Sequence, residues 1–248
     1  MPRALMPLSH GLLRGGRRVP TWQRVATLLG AKLLGHFSGE AAQTLTLAGA
    51  SVTSWTCLVS GLVVSPGDAG TRPIYDAASK ALTFDGTDDF LAANSNPYFA
   101  DAAEGEVFLV VNQSALPADT TARAALYLGS AASLDISRAV DRFVSGAANR
   151  VRARTGITGS SASVVNDLGD LSGKRRIGVR WSNTTTYASM DNNTEASVAA
   201  IPTTATTRTV IGAYTDATSG FWSGQVHEVI ITAPLTTQER DALHALYQ

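Results

Sequence analysis

The feature that most constrains the fold is a long series of short β-branched and aromatic runs, which extends from about residue 31 to residue 232. Clusters of Gly, Asn, Asp, Ser and Pro separate these runs and favour turns between them. No segment in this region has the helical period needed for a long connection between parallel strands. We therefore predict an all-β protein, a two-sheet antiparallel β-sandwich of the jelly-roll type.

About fourteen runs satisfy the strand pattern, and several of them alternate between residues for one face and residues for the other. Turn residues between neighbouring runs make hairpins the expected connection. In chain order, the predicted strands are Thr44–Leu47, Ser51–Trp55, Gly61–Val64, Ala81–Phe84, Glu106–Asn112, Ala125–Gly129, Ser133–Ser137, Arg142–Ser145, Arg150–Arg154, Arg175–Trp181, Thr185–Met190, Ala196–Ala199, Thr207–Ala213 and Gln225–Thr232.

Helical periodicity occurs near the two ends of the chain. Apolar residues recur at helical spacing from Pro20 to Gly30, which predicts a short helix that Gly30 ends. Near the C-terminus, Thr236 and Glu239 have the spacing of a capping box. We predict a second short amphipathic helix over Thr236–Tyr247, outside the sheets.

Charge divides the chain into two unequal parts. Residues 1–39 contain six basic residues and no acidic one, while the rest of the chain holds the other 14 basic residues and all 20 acidic ones. Such a division suggests a segment that docks and a body that is displayed. We predict a basic N-terminal arm and anchor helix over residues 1–30 and a β-sandwich domain over residues 31–248.

The arm and its helix are predicted to attach the domain to another protein. The arginines would supply ionic contacts, and the helix would supply an apolar face. The residues assigned to this anchor are Arg14, Arg17, Arg18, Trp22, Arg24, Leu28 and Leu29. An alternative remains open, in which the helix packs on its own domain.

Composition argues against several classes of protein. Charged residues make up only 16% of the chain, while 27 Thr and 22 Ser favour a neutral, hydroxyl-rich surface. Cys57 is the single cysteine, so we expect neither an intrachain disulfide nor a cysteine-based zinc site. No apolar run reaches the roughly 18 residues of a membrane span, and the acidic body makes nucleic acid an unexpected partner.

The sequence lacks the common motifs for catalysis and cofactor binding. It has no Gly-x-Ser-x-Gly elbow, no phosphate-binding loop and no glycine motif for a dinucleotide. The four histidines are scattered, and His227 and Glu228 are expected to point to opposite faces of one strand. We therefore expect no enzymatic activity and no cofactor.

Three carboxylates lie close together around a glycine, at Asp85, Asp88 and Asp89. In one interpretation, these side chains accept hydrogen bonds from the amides of a tight turn. In the other, they hold a structural calcium ion, which prefers several oxygens from one loop. The alternating acidic pattern of a calcium loop is missing, so turn capping is preferred and no metal site is assigned.

Aromatic residues near the polar segment 215–220 are candidates for stacking on a sugar ring. They are Tyr214, Phe221 and Trp222. Because side chains alternate along an extended chain, one of Phe221 and Trp222 is expected in the core and the other outside. The alternative role of these aromatic residues is packing or subunit contact.

Three segments have a characteristic order and spacing. They are VTSW at Val52–Trp55, LTFDGTDDFL at Leu82–Leu91, and EVII at Glu228–Ile231, which precedes the closing helix. Together they resemble the concanavalin A-like lectin/glucanase superfamily, in the laminin-G-like form that is common among bacteriophage structural proteins. The resemblance covers residues 31–248 and implies a lectin-like sandwich. Superfamily enzymes that cut glycans carry alternating carboxylates on one strand, and this pattern is missing here.

The resemblance implies a non-enzymatic virion structural protein of a bacteriophage, assembled in the bacterial cytoplasm. A lectin-like domain would be displayed on the head, neck or tail, and the N-terminal arm would bind other virion proteins. Display in several copies favours a homo-oligomer, because multivalency strengthens weak contacts. The alternative is a carbohydrate-binding module of a tail fibre or spike, which recognises glycans of the host surface.

Overall fold

The computed structural model describes residues 19–99, 104–113, 122–130, 133–145, 148–157, 160–166, 173–182, 184–191, 193–199, 207–214 and 219–248. Three residues of the predicted anchor, Arg14, Arg17 and Arg18, lie outside these described residues.

The described residues contain two α-helices and seventeen β-strands. The helices are α1 (Thr21–Leu29) and α2 (Thr237–Ala245). The strands are β1 (Leu33–Ser38), β2 (Leu45–Ala48), β3 (Ser51–Thr56), β4 (Val63–Val64), β5 (Ile74–Asp76), β6 (Ala81–Asp85), β7 (Leu91–Ala93), β8 (Gly105–Gln113), β9 (Arg123–Ser130), β10 (Ser133–Ser145), β11 (Ala148–Ile157), β12 (Ser160–Asn166), β13 (Gly173–Trp181), β14 (Thr185–Met190), β15 (Ala196–Ala199), β16 (Arg208–Ile211) and β17 (Ser223–Thr232).

These strands form two antiparallel sheets. Sheet A has the strand order β15-β14-β13-β8-β17-β6-β5-β3-β2, with β1 paired to β17 and β4 paired to β3. Sheet B has the order β12-β11-β10-β9-β16-β7. All of the strand pairs described are antiparallel, which confirms the predicted all-β, two-sheet sandwich.

The main core lies between the two sheets. Trp55, Trp181 and Trp222 are among its largest side chains, and none of them is more than 1% exposed. Aliphatic residues from both sheets fill the space around them, including Leu109 on β8 and Leu126 on β9. Because each strand places alternate residues on its inner face, one continuous apolar layer joins the sheets.

The strand boundaries differ from the prediction in two ways. The runs predicted at Ser133–Ser137 and Arg142–Ser145 belong to the single strand β10. Four strands were not predicted, namely β1, β5, β7 and β12. Strand β1 has the sequence LLGHFS, whose glycine and histidine hide the strand signal, and it forms because its backbone pairs with β17.

A second apolar cluster lies on the outer face of sheet A, beneath both helices. The side chains that α1 contributes are Val25 and Leu29, which are 0% and 4% exposed. They meet residues of β8, β17, α2 and the segment between β17 and α2, namely Phe108, Val110, Ile230, Leu235 and Leu243. Helix α1 therefore packs on its own domain, while the division of the chain at residue 30 stays a prediction.

The ends of both helices are fixed by specific contacts. Pro20 precedes α1, and a carboxylate from elsewhere in the chain caps the helix: the Thr21 amide donates to Glu40 Oε2 at 2.6 Å. Gly30 ends α1 with φ of 50°, a conformation that favours glycine. The predicted capping box of α2 is present between Thr236 and Glu239.

The packing of α1 predicts an asymmetric response to substitution on its two faces. We expect Leu29→Ala to lower the free energy of unfolding by about 2–5 kcal/mol, because it opens a cavity under the helix. Gln23→Ala, on the exposed face, should change it by less than about 0.5 kcal/mol. Urea unfolding of the full chain measures both values. Equal effects would contradict the packing of α1 on the sheet.

Candidate functional site

Strand β17 contains a β-bulge at His227. On the neighbouring strand β8, Val226 is opposite Val111 and Glu228 is opposite Val110, so one residue of β17 is extra. Val110 belongs to the outer cluster, and His227 and Glu228 both line a groove on that outer face of sheet A. The prediction that these two side chains point to opposite faces is wrong, because the bulge interrupts the alternation.

Glu228 is held in a buried hydrogen-bonded group. His36 Nε2 lies 2.8 Å from Glu228 Oε2, and Ser38 Oγ donates to Glu228 Oε1 at 2.9 Å. Burial raises the pKa of Glu228, although the hydrogen bonds from His36 and Ser38 oppose this rise. Both carboxylate oxygens have partners within the protein, so this group is a fixed part of the floor of the groove.

The groove lies between the beginning of α1, the end of α2 and the outer face of sheet A. Its inner part has a volume of about 200 Å³, and its outer part has a volume of about 530 Å³. Volumes of this order are typical of sites for small ligands. The two parts share the lining residues Thr21, Glu40, Lys80, Lys174 and Tyr247, and we call them together the helix-end groove.

Positive charge dominates the rim of the helix-end groove. Arg24, Lys80 and Lys174 line it, together with the acidic side chain of Glu40. Glu40 is engaged by Lys80 Nζ at 3.1 Å and by the amide of Thr21. Burial would raise the pKa of Glu40, but these bonds outweigh it and the pKa is lowered.

Two of the rim cations have no counter-charge. Within the described part of the chain, Arg24 and Lys174 form no ion pair with a carboxylate. Lys80 has a left-handed backbone with φ of 55°, which is uncommon for a residue other than glycine and is found more often at functional sites. The groove therefore presents a concentration of positive charge that the protein itself leaves partly uncompensated.

Two buried polar groups belong to residues that line the groove. His227 is 6% exposed, and its Nε2 atom makes no hydrogen bond. Burial and the charge of Lys174 lower the pKa of His227 to about 4, so the ring is neutral at pH 7. The hydroxyl of Tyr247 is also buried and lies beside the Glu228 carboxylate. Burial, followed by the charge of the adjacent Glu228, raises the pKa of Tyr247.

Buried polar atoms in native proteins are mostly hydrogen-bonded, and an unpaired one such as His227 Nε2 can mark the position of a water molecule or a ligand. Here the neutral His227 ring and the Tyr247 hydroxyl can accept or donate hydrogen bonds, and the rim supplies ammonium and guanidinium donors. The arrangement suits reversible binding of a polar, hydroxyl-bearing molecule. The sequence signal for it was the pair of polar residues between Val226 and Val229, which breaks the period of a strand.

The predicted glycan contacts do not form one exposed surface. Trp222 is 1% exposed in the main core, whereas Phe221 is half-buried and lies outside it, so the expected division between these two residues is present. Tyr214 is 8% exposed, and its hydroxyl donates to Asp141 Oδ2 at 2.6 Å. Asp141 also binds Arg152 through both of its carboxylate oxygens. Tyr214 and Trp222 are thus buried in this structure, and the role of the three aromatic residues as glycan contacts stays a prediction.

The described residues of the predicted anchor have different environments. Leu29 is buried, while Leu28 and Trp22 are half-buried on α1. Arg24 is exposed and lines the helix-end groove. The apolar partner that α1 requires is thus supplied by its own domain, and attachment of the helix to another protein stays a prediction.

The carboxylate cluster forms a capped turn between β6 and β7. Asp85 Oδ1 accepts hydrogen bonds from the amides of Thr87 and Asp88, at 2.7 and 3.3 Å. Asp89 Oδ2 accepts from the Asp85 amide at 2.9 Å. One oxygen from each of the three carboxylates also lies within 4.8 Å of the others, which is close enough for them to share a cation. Both interpretations, turn capping and calcium binding, remain compatible with this geometry.

None of the helices in the described part of the chain is long and apolar enough to span a membrane. The sequence matches no family model and no curated protein.

Several solved structures share the sandwich. The chain is similar to the binding domain of botulinum neurotoxin serotype D (TM-score 0.61, 7% identity, 86% of this chain and 51% of that one). It is also similar to a GH54 α-L-arabinofuranosidase (TM-score 0.59, 10% identity, 88% and 59%). A third similar structure is the enzymatically active domain of tailspike protein 2 from bacteriophage CBA120 (TM-score 0.51, 12% identity, 68% and 27%). The chain spans between about a quarter and three fifths of the length of these structures, and the likeness shows a shared fold.

The environment of Asp89 predicts a pH signature. Burial, together with the charges of Asp85 and Asp88, raises the pKa of Asp89 from 3.8 to about 6. The folded protein therefore binds this proton more tightly than the unfolded chain, and the stabilisation is lost as the pH rises from about 4 to about 6. As the pH rises through this window, we expect the unfolding free energy of the wild type to fall relative to that of Asp89→Asn. Above the window, the difference between the two proteins should stay constant. A constant difference across the window, measured by urea unfolding, would contradict this assignment.

Calcium separates the two interpretations of the same turn. Turn capping predicts that millimolar calcium leaves the melting temperature unchanged in both proteins. A rise with calcium concentration in the wild type that is lost in Asp89→Asn would instead establish a metal site, because a ligand bound only by the folded state stabilises it by mass action.

Proposed function

We propose that this protein is a non-enzymatic carbohydrate-binding module with a lectin-like β-sandwich, and that the helix-end groove binds the saccharide. The observation that carries the proposal is an open polar groove lined by Tyr247 and by the buried side chain of His227, whose Nε2 atom makes no hydrogen bond. Saccharide hydroxyls both donate and accept hydrogen bonds, so a ring in the groove would satisfy this atom. An apolar ligand would leave it unpaired at a cost of about 1–3 kcal/mol.

The fold and the sequence resemblance support the same proposal. The resemblance is to a lectin-like superfamily, and the sandwich is shared with an arabinofuranosidase that was crystallised with arabinofuranosyl-α-1,2-xylobiose (TM-score 0.58, 10% identity, 79% of this chain and 50% of that one). The fold thus occurs in proteins that handle saccharides. The groove itself, with the unpaired Nε2 atom of His227, supplies the reason to place a ligand at this position.

Binding without hydrolysis is supported by the state of the buried carboxylates near the helices. Glu228 is held by His36 and Ser38. Glu106 accepts from Arg240 at 2.7 Å and from the Leu235 amide at 2.8 Å. Retaining hydrolysis requires two carboxyl groups about 5 Å apart that both reach the substrate. Because Glu106 and Glu228 are occupied with structural hydrogen bonds, we expect no turnover.

Two tyrosine variants test the groove as the binding site. The probe is an array of oligosaccharides, followed by calorimetric titration of the full chain with those that bind. Tyr247→Phe removes a hydroxyl from the groove and should weaken binding by about three- to tenfold. Tyr75→Phe is the matched control, because its hydroxyl binds the Gly39 carbonyl at 3.0 Å and does not line the groove.

The control should bind with unchanged affinity, and melting temperatures should show that both variants are folded. Binding of no saccharide by the wild type would refute the proposed function. Equal weakening in the two variants would refute the groove as its location.

A second proposal concerns where the module is carried. We infer that it is displayed on a bacteriophage particle as a homo-oligomer, held to other virion proteins by residues 1–18. The LTFDGTDDFL segment, which resembles those of phage structural proteins, and the basic arm support this location. The similarity to a phage tailspike domain shows a common sandwich and is compatible with it.

Truncation tests the role of the arm, and the cut belongs after residue 18, so that α1 keeps its packing on the sandwich. We expect the full chain to sediment with purified particles and the chain lacking residues 2–18 to remain free, with an unchanged melting temperature. High salt should weaken the attachment of the full chain, because exposed ionic contacts are screened over about 8–10 Å. Equal incorporation of the two chains would contradict the anchor.

A further inference from the structure

We propose that the helix-end groove is selective for acidic saccharides, and that Lys174 and Arg24 bind the carboxylate of a uronic-acid-like sugar. This inference rests on the proposed function and adds the chemical class of the ligand. The groove combines two features that neutral-sugar binding alone does not require: hydrogen-bonding atoms at its floor and uncompensated cations at its rim.

The distribution of charge supports an anionic group at the rim. In the outer part, Arg24, Lys80 and Lys174 stand against one acidic side chain, that of Glu40, which already binds Lys80 and the first turn of α1. In the described structure, Lys174 and Arg24 have no carboxylate partner. A bound carboxylate would accept charge-assisted hydrogen bonds from both, and such bonds are stronger than those between neutral groups.

The depth of the groove supports a saccharide that carries the anion. His227, whose Nε2 atom makes no hydrogen bond, lines the inner part together with Tyr247, Ser79 and Glu228. Lys174 lines both the inner and the outer part, and Arg24 lines only the outer part. A small inorganic anion at the rim would leave His227 Nε2 unsatisfied. A sugar ring in the inner part with a carboxylate directed outward reaches both sets of groups.

The N-terminal arm is a poor occupant of the same groove. Residues 1–18 contain Arg3, Arg14, Arg17 and Arg18 and no acidic residue. Bringing these side chains to a rim that is already cationic would cost electrostatic free energy, because like charges repel. The charge of the groove therefore favours a ligand from outside the chain.

A matched pair of small probes tests the selectivity. Methyl β-D-glucuronide and methyl β-D-glucoside differ only in the carboxylate at C6, and NMR titration of the full chain measures weak affinities. We expect the wild type to bind the glucuronide about five- to tenfold more tightly than the glucoside at low salt. Lys174→Gln should bind the glucuronide about two- to fivefold more weakly and the glucoside with unchanged affinity. The effect is modest because an exposed ion pair contributes little free energy.

Four controls make every outcome informative. Lys174→Arg keeps the charge and should retain the preference, whereas the double variant Arg24→Gln/Lys174→Gln should abolish it. Inorganic phosphate, added at a concentration equal to that of the glucuronide and at constant ionic strength, should fail to displace the glucuronide. Tyr247→Phe should weaken both sugars alike, because its hydroxyl binds the ring.

The outcomes separate this inference from the proposed function. Equal affinity for the two sugars in the wild type would overturn acid selectivity and leave saccharide binding intact. Competition by phosphate as strong as that by the glucuronide would show a general anion site and also overturn the inference. If neither methyl glycoside binds and the oligosaccharide array is also negative, both the acid selectivity and the proposed function are refuted.

Discussion

Strand β17 is the element on which the sandwich and the helix-end groove both depend. It pairs with β8 along one edge, and along the other edge it pairs first with β6 and then with β1. The change of partner occurs at the bulge, where Gly39 approaches the Lys80 carbonyl so closely that a side chain at this glycine would clash with it. A regular strand would have sent one of His227 and Glu228 into the main core, where a charged group is costly. The bulge keeps both on the outer face.

The electrostatics of the groove follow from this geometry. Glu228 stays buried because His36 and Ser38 bind both of its oxygens, whereas the buried His227 becomes neutral, because a charged imidazole next to Lys174 would be unfavourable. The helix ends then form the walls of the groove. Glu40 fixes the start of α1 and neutralises Lys80, and the remaining cations face solvent.

The sequence predicted the fold more fully than it predicted the site. Alternation and turn residues were sufficient for a two-sheet sandwich, and the capping box at Thr236 was sufficient for α2, because these signals are local. Strand β1 was missed since its pairing with β17 is a contact between distant segments. The groove residues Glu40, Lys80, Lys174 and Tyr247 come from four separate parts of the chain, and no local pattern joins them. The surroundings of the aromatic candidates could not be predicted for the same reason, because burial of Tyr214 depends on Asp141, which is distant in sequence.

The most direct test of the account is a crystal structure of the full chain grown or soaked with a uronic-acid-containing disaccharide. The account predicts electron density for one sugar ring in the inner part of the helix-end groove, with a ring hydroxyl within about 3 Å of His227 Nε2 and the carboxylate within about 3 Å of Lys174 Nζ. Density for the sugar on the outer face of sheet B or at an edge of the sandwich, with water alone beside His227 and Tyr247, would contradict it.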